Sequence, residues 1–267
     1  MKLKTENVHF AEPITPRGIA AFAAKRFSRL IVTQFVIALL ATLSLAWFLD
    51  ENCFVPIQSA IERLPDHGKI SNGRLDWQDD SPKTILDGRL LAFDVDLDHS
   101  GQVHATADVQ VEFGRESVRI YSYLGYSEFF YAAWPMPFNR TDLKPLWGAW
   151  SAEVMAVSVI AAFAGLLLSW ALLALLYFTP AWLLGFFLNR DLGLRASWKL
   201  SAAALMPGAL LMTGGILLYN IGFLNLIALS FIFLAHFVLG WIYVIASVFF
   251  VPRMSGNTSK KNPFGRG

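Results

Sequence analysis

Residues 30–49 read LIVTQFVIALLATLSLAWFL, and Asp50-Glu51-Asn52 follow at once. A helix needs about 20 apolar residues to cross about 30 Å of hydrocarbon, and this stretch has that length without a charge. Three more stretches, 152–178, 200–221 and 224–251, repeat the pattern with no charge firmly inside. Between the first and second lie roughly a hundred residues that hold all but four of the 20 acidic residues. The reading is a membrane α-helical bundle of four transmembrane helices with an inserted, mainly-β extracytoplasmic domain over 50–151. A hydrophobic content of 55% and a mean hydropathy of +0.47 place the chain outside ordinary soluble domains.

Orientation follows from Lys and Arg. Residues 1–29 carry Lys2, Lys4, Arg17, Lys25, Arg26 and Arg29; the loop 179–199 carries Arg190, Arg195 and Lys199. The tail 252–267 adds Arg253, Lys260, Lys261 and Arg266, and the three regions hold only Glu6, Glu12 and Asp191 as acids. The positive-inside rule therefore makes both termini cytoplasmic in an inner (cytoplasmic) membrane, multi-pass. The first segment reads as a retained anchor, because its charged lead is long and no A-x-A site follows. Residues 50–52 before Cys53 lack the small apolar residues of a lipidation site. The single cysteine excludes an intrachain disulfide. Basic residues scattered at membrane boundaries exclude a nucleic-acid partner.

Within the insert, Phe93–Asp98 and Val103–Phe113 alternate apolar and polar residues with period two, the mark of half-buried strands. His99-Ser100-Gly101 between them predicts an antiparallel hairpin in which Leu97 faces Val103, Val95 faces Ala105 and Phe93 faces Ala107. A strand over 118–124 follows Gly114, and strands near 69–77 and 83–91 precede the hairpin. Asp94, Asp96 and Asp98 with His104 across form the one metal-like set. A solvated, edge-protecting face is preferred, since no glycine-rich ligand loop accompanies them and the spacing is not that of an EF-hand. No metal or other cofactor is expected.

Tyr121, Tyr123, Tyr126, Phe129, Phe130, Tyr131, Trp134, Phe138, Trp147 and Trp150 crowd the approach to the second span. Amphipathic rings prefer the headgroup level, so this segment is expected on the outer leaflet in preference to forming a lipid or peptide pocket. Asn139-Arg140-Thr141 fits a glycosylation acceptor. In the second span Ala161, Gly165 and Ser169 make a small-residue stripe suited to helix packing. Pro180 is expected to kink its end or to begin an interfacial segment. Pro207-Gly208 bends the third span, and His236 is the one titratable group inside the fourth. No Asp, Glu, Lys or Arg lies firmly within a span and no inverted repeat is visible, which counts against ion-coupled transport. H-E-x-x-H, G-x-S-x-G and the P-loop are absent, so no catalytic residue is assigned.

Several short segments resemble the DUF1189 group of bacterial membrane proteins, itself loosely Yip1-like. These are Ile14–Phe22 ahead of the first span, Leu64-Pro65-Asp66 with Lys69–Leu75, Phe93–Asp96, and Lys199-Leu200-Ser201 with Ala204 and Pro207. The resemblance implies no known enzyme activity. The expected role is a non-enzymatic accessory, scaffold or sensor. Its partners would be the lipid bilayer and a membrane or envelope protein, with Asp94, Asp96, His104, Pro207 and His236 as candidate binding residues. The alternatives are a small transporter or lipid-handling protein using Pro207 and His236, and an envelope enzyme using Asp94, Asp96 and His104.

Overall fold

The computed structural model describes residues 12–103 and 105–254. In chain order the helices and strands are α1 (Pro16–Ala24), α2 (Phe27–Leu49), α3 (Val55–Arg63), β1 (Lys69–Ser71), β2 (Arg74–Asp76), β3 (Lys83–Asp87) and β4 (Leu91–Val95). They continue with β5 (Val109–Phe113), β6 (Ser117–Ser122), β7 (Gly125–Phe130), β8 (Met136–Pro137), α4 (Arg140–Phe187), α5 (Leu194–Ala204), α6 (Met206–Asn220) and α7 (Leu226–Val248). Four helical stretches, Phe27–Arg63, Arg140–Phe187, Leu194–Asn220 and Leu226–Val248, are long and apolar enough to cross a membrane. Helices and sheets thus segregate as expected of a multi-pass bundle carrying a β-domain. The first two helices outrun their predicted spans at both ends, and the fourth, Leu226–Val248, falls short of 224–251. A π-helical turn, Asp50–Phe54, carries α2 into α3. The 48 residues of α4 extend about 72 Å at 1.5 Å per residue, and Pro180 does not end it.

The chain divides into two compact units. Among the described residues, the first comprises 12–42, 162–215 and 230–254. Its core joins Ile19 and Phe22 of α1, Leu30 and Ile37 of α2, and Leu200 with Ala202, Ala203 and Ala204 of α5. α1 forms where Thr15 caps the N–H of Gly18 at 3.1 Å and Pro16 pre-sets the first turn. The third span is not one helix: it breaks between Ala204 and Met206. Pro207 has no N–H for the Ala203 carbonyl, which accepts from Leu205 instead. Gln34 Nε2 donates to the adjacent Ala202 carbonyl at 3.1 Å. Both the Ala202 and Ala203 carbonyls at the break thus have partners. Next to it, a Cβ on Gly208 would lie 2.6 Å from the His236 carbonyl oxygen, so only glycine admits this approach of α6 to α7.

The second unit comprises 43–161 and 216–229. It holds a small sheet ordered β2-β1-β8 and a larger one ordered β3-β4-β5-β6-β7. Between them α3 contributes Ala60 and Leu64 to a core with Ile70, Leu75, Trp77, Ile85, Leu86, Val95 and Phe138. Neither face of β4 is fully open, and β4 pairs with β5 in parallel, Phe93 beside Val111 and Asp94 beside Glu112. The predicted antiparallel hairpin is therefore wrong. Alternation fixes which face a residue takes but not the direction of the partner strand, and residues 96–108 supply a connection of the dozen residues a parallel crossover needs. β6 does follow Gly114, and its antiparallel partners are β5 and β7.

Within the aromatic segment Tyr121 and Tyr126 stand on paired strands, Phe138 is core, and Trp147 lies on α4 against Phe54 at 5.4 Å. Asn139 is the buried N-cap of α4. Its Oδ1 accepts from the N–H of Asp142 at 2.8 Å and its Nδ2 donates to the Gly68 carbonyl at 2.9 Å, so it cannot carry a glycan.

A polar latch ties the sheet to the ends of α2 and α6 within the same unit. Asp108 accepts from the hydroxyls of Tyr123 at 2.6 Å and Tyr219 at 2.7 Å. Arg89 stacks 4.4 Å from the Tyr219 ring, donates to the Tyr219 carbonyl at 2.5 Å, and also donates to the Leu224 carbonyl. Asn52 bonds Asn220 at 3.0 Å.

Candidate functional site

The most elaborate side-chain chemistry among the described residues is centred on His99. Its backbone takes the left-handed conformation, φ 51°, which turns the chain as it leaves β4. The ring then lies flat on Gly114, where a Cβ would come 2.2 Å from Nε2. His99 Nδ1 meets Glu112 Oε1 at 2.5 Å, and Nε2 meets Ser117 Oγ at 3.2 Å. Ser117 donates to Glu128 Oε1 at 2.7 Å, Arg119 donates to the same oxygen at 3.1 Å, and Tyr121 donates to Glu112 at 3.3 Å. Antiparallel pairing of β6 with β5 and β7 brings these groups together, since Arg119 stands beside both Glu112 and Glu128. Glu112 is only 2% exposed. A shallow cavity of about 270 Å³ opens beside His99, Ser117, Glu128, Arg115 and Phe130.

The Ser117 hydroxyl donates to the Glu128 carboxylate, and the tautomer of His99 sets which ring nitrogen donates and which accepts. The hydrogen bond from Ser117, with help from Arg119, holds the Glu128 carboxyl below its ordinary range. Burial pushes the Tyr121 and Tyr131 phenols up.

The residues singled out from sequence lie elsewhere. Asp94 and Asp96 are not on a solvated face; both are buried. Asp96 closes its own loop, accepting from Ser100 Oγ at 2.8 Å and the Gly101 N–H at 3.1 Å. Asp98 is exposed and pairs with Arg115 at 3.4 Å. His104 lies outside the described residues, and among those described no group of three His, Cys, Asp or Glu is placed to hold a metal. The His236 ring bonds the Phe233 carbonyl of its own helix and packs 3.9 Å from Phe237. Ala161 and Gly165 are exposed, with nothing within 4 Å of a Cβ built on Gly165, and Ser169 bonds Leu166 at 2.9 Å. The stripe of α4 buried within the chain is Trp170, Ala174, Tyr177, Ala181 and Gly185.

Asp94 carries a testable consequence. Burial raises its carboxyl pKa, opposed by Thr84 and Gln110 and reinforced by Asp87 and Glu112. An acid whose folded pKa lies above its unfolded one contributes stability at low pH that is lost as pH rises through the folded value. Asp94→Asn is expected to stabilise the unit by about 1 kcal/mol at neutral pH. That advantage should shrink on acidification, as read by denaturant unfolding at several pH values.

Nothing in the sequence announced the cluster, because His99, Glu112, Ser117 and Glu128 have no motif spacing. No protein-family model matches the chain, and no match was found among curated proteins or solved structures.

Proposed function

We propose that this is a non-enzymatic, multi-pass protein of a bacterial inner membrane, with cytoplasmic termini and an outer domain that docks an envelope protein by strand addition to β7. The role is of the accessory, scaffold or sensor kind. One observation carries the reading. β7 is an edge strand whose six residues are all exposed, with Tyr126, Phe129 and Phe130 among them. Edge strands are normally guarded by charge, proline or a bulge. Here Glu128, the one charge on the strand, is engaged by Ser117 and Arg119. An open edge with aromatic side chains is the surface that an extended partner segment recognises, backbone giving affinity and side chains specificity.

The test is co-purification after mild detergent extraction and in-membrane cross-linking, comparing the wild type with Phe129→Lys/Phe130→Lys. Loss of a cross-linked partner of at least about tenfold is expected, with stability changed by no more than about 0.5 kcal/mol, because both rings are exposed. A wild-type protein that runs alone under many extraction conditions would refute the reading.

A second reading rests on the order Glu112–His99–Ser117, which is that of an acid, base and nucleophile. The bond from Ser117 to Glu128 and the burial of Ser117 argue against it. Labelling of Ser117 by a fluorophosphonate would reverse that judgement.

A further inference from the structure

In the first unit, α1, the start of α2 and the segment after α7 enclose a cavity of about 1130 Å³. Four cationic residues line it: Arg17 from α1, Lys25 and Arg26 from the turn that follows, and Arg29 from the first turn of α2. Its remaining wall is mostly apolar, with Val32 and Phe250 beside Ser28 and Thr33. Arg29 and Val32 lie on a span-length apolar helix, so the cavity stands at one end of a candidate membrane span with a charged part and a greasy part side by side.

From this we infer that the cavity binds the headgroup and upper acyl chain of an anionic phospholipid. The cations select a phosphate-bearing headgroup, and the apolar wall selects an attached hydrocarbon over a free anion. Arginine suits the task because its planar guanidinium bonds phosphate oxygens in pairs. Basic clusters at the membrane end of a helix draw anionic lipid by electrostatics added to burial of chain. The site is independent of whatever β7 docks, and it would hold the angle between α1 and α2.

The probes are phosphatidylglycerol and phosphatidylcholine of identical chains, titrated against the full-length protein in neutral detergent and read by native mass spectrometry. Phosphatidylglycerol should be retained preferentially, and Arg17→Gln and Arg26→Gln, both at exposed positions, should each lower its occupancy about fivefold. Equal retention of the two lipids, or undiminished retention by the double variant, overturns the inference. So does displacement of phosphatidylglycerol by millimolar inorganic phosphate at constant ionic strength, which would assign the cavity to a soluble anion. Should the double variant fail to fold, a phosphatidylglycerol carrying a headgroup diazirine is cross-linked to the wild type. Adducts within residues 17–33 support the site, and adducts confined elsewhere refute it.

Discussion

Replacing His99 by alanine is expected to destabilise the second unit by about 1–3 kcal/mol, the cost of leaving a buried carboxyl short of a hydrogen-bond partner. Glu112 would keep only the 3.3 Å bond from Tyr121 while remaining almost wholly buried. Ser117 would lose its contact with Nε2, and the space over Gly114 would empty. Alanine also tolerates the left-handed backbone of position 99 less well than histidine or asparagine do. His99→Asn should therefore recover part of the loss. A double-mutant cycle separates packing from charge. Gly114→Ala alone drives a methyl into the ring, but in the His99→Ala background that clash is gone, so the two losses should fall well short of additive. Limited proteolysis and denaturant unfolding of the full-length protein in detergent would measure both. A loss below about 1 kcal/mol for His99→Ala would mean that the cluster is merely a solvated surface arrangement.

What could be read from the sequence divides along a physical line. Spanning length is a property of each segment alone, so 30–49, 200–221 and 224–251 foretold apolar helices that the fold contains. Strand existence was partly local, because period-two alternation in Phe93–Asp98 and Val103–Phe113 states which side chains share a face, although only Leu91–Val95 and Val109–Phe113 form strands. Direction and partner are not local. Asp94, Asp96 and Glu112 look like a wet face in the sequence, yet the parallel pairing and the loop that folds back through Asp96 bury them. Helix ends were misplaced for a similar reason: 50–63 and 140–151 are polar enough for loops by composition, but capping by Asn139 and the ion pair of Lys144 with Glu62 at 3.3 Å support helix there. The His99 cluster was illegible because its members come from four parts of the chain, and only the β5-β6-β7 register brings them within bonding distance.

Arg89→Ala is expected to cost the same unit about 2 kcal/mol, and more locally than the loss of His99. Its guanidinium satisfies the Tyr219 and Leu224 carbonyls around the turn that ends α6, where Gly222 takes φ 89° and the helix leaves acceptors unpaired. A cation at that end also opposes the negative pole of the helix. Removing it should raise amide hydrogen exchange across 217–226 and leave that of α3 and β1 unchanged. Tyr219→Phe should cost less, about 1 kcal/mol, since Asp108 keeps its 2.6 Å bond from Tyr123. The order matters for the proposed role. If docking on β7 is felt by the helices, the path within this unit runs from the β6–β7 turn through Tyr123 and Asp108 to Tyr219 and Arg89. Arg89→Ala should then preserve cross-linking of the partner to β7 and abolish its effect on exchange at 217–226. If bound partner still protects 217–226 in the variant, the latch is only a structural brace and the helices serve solely as an anchor.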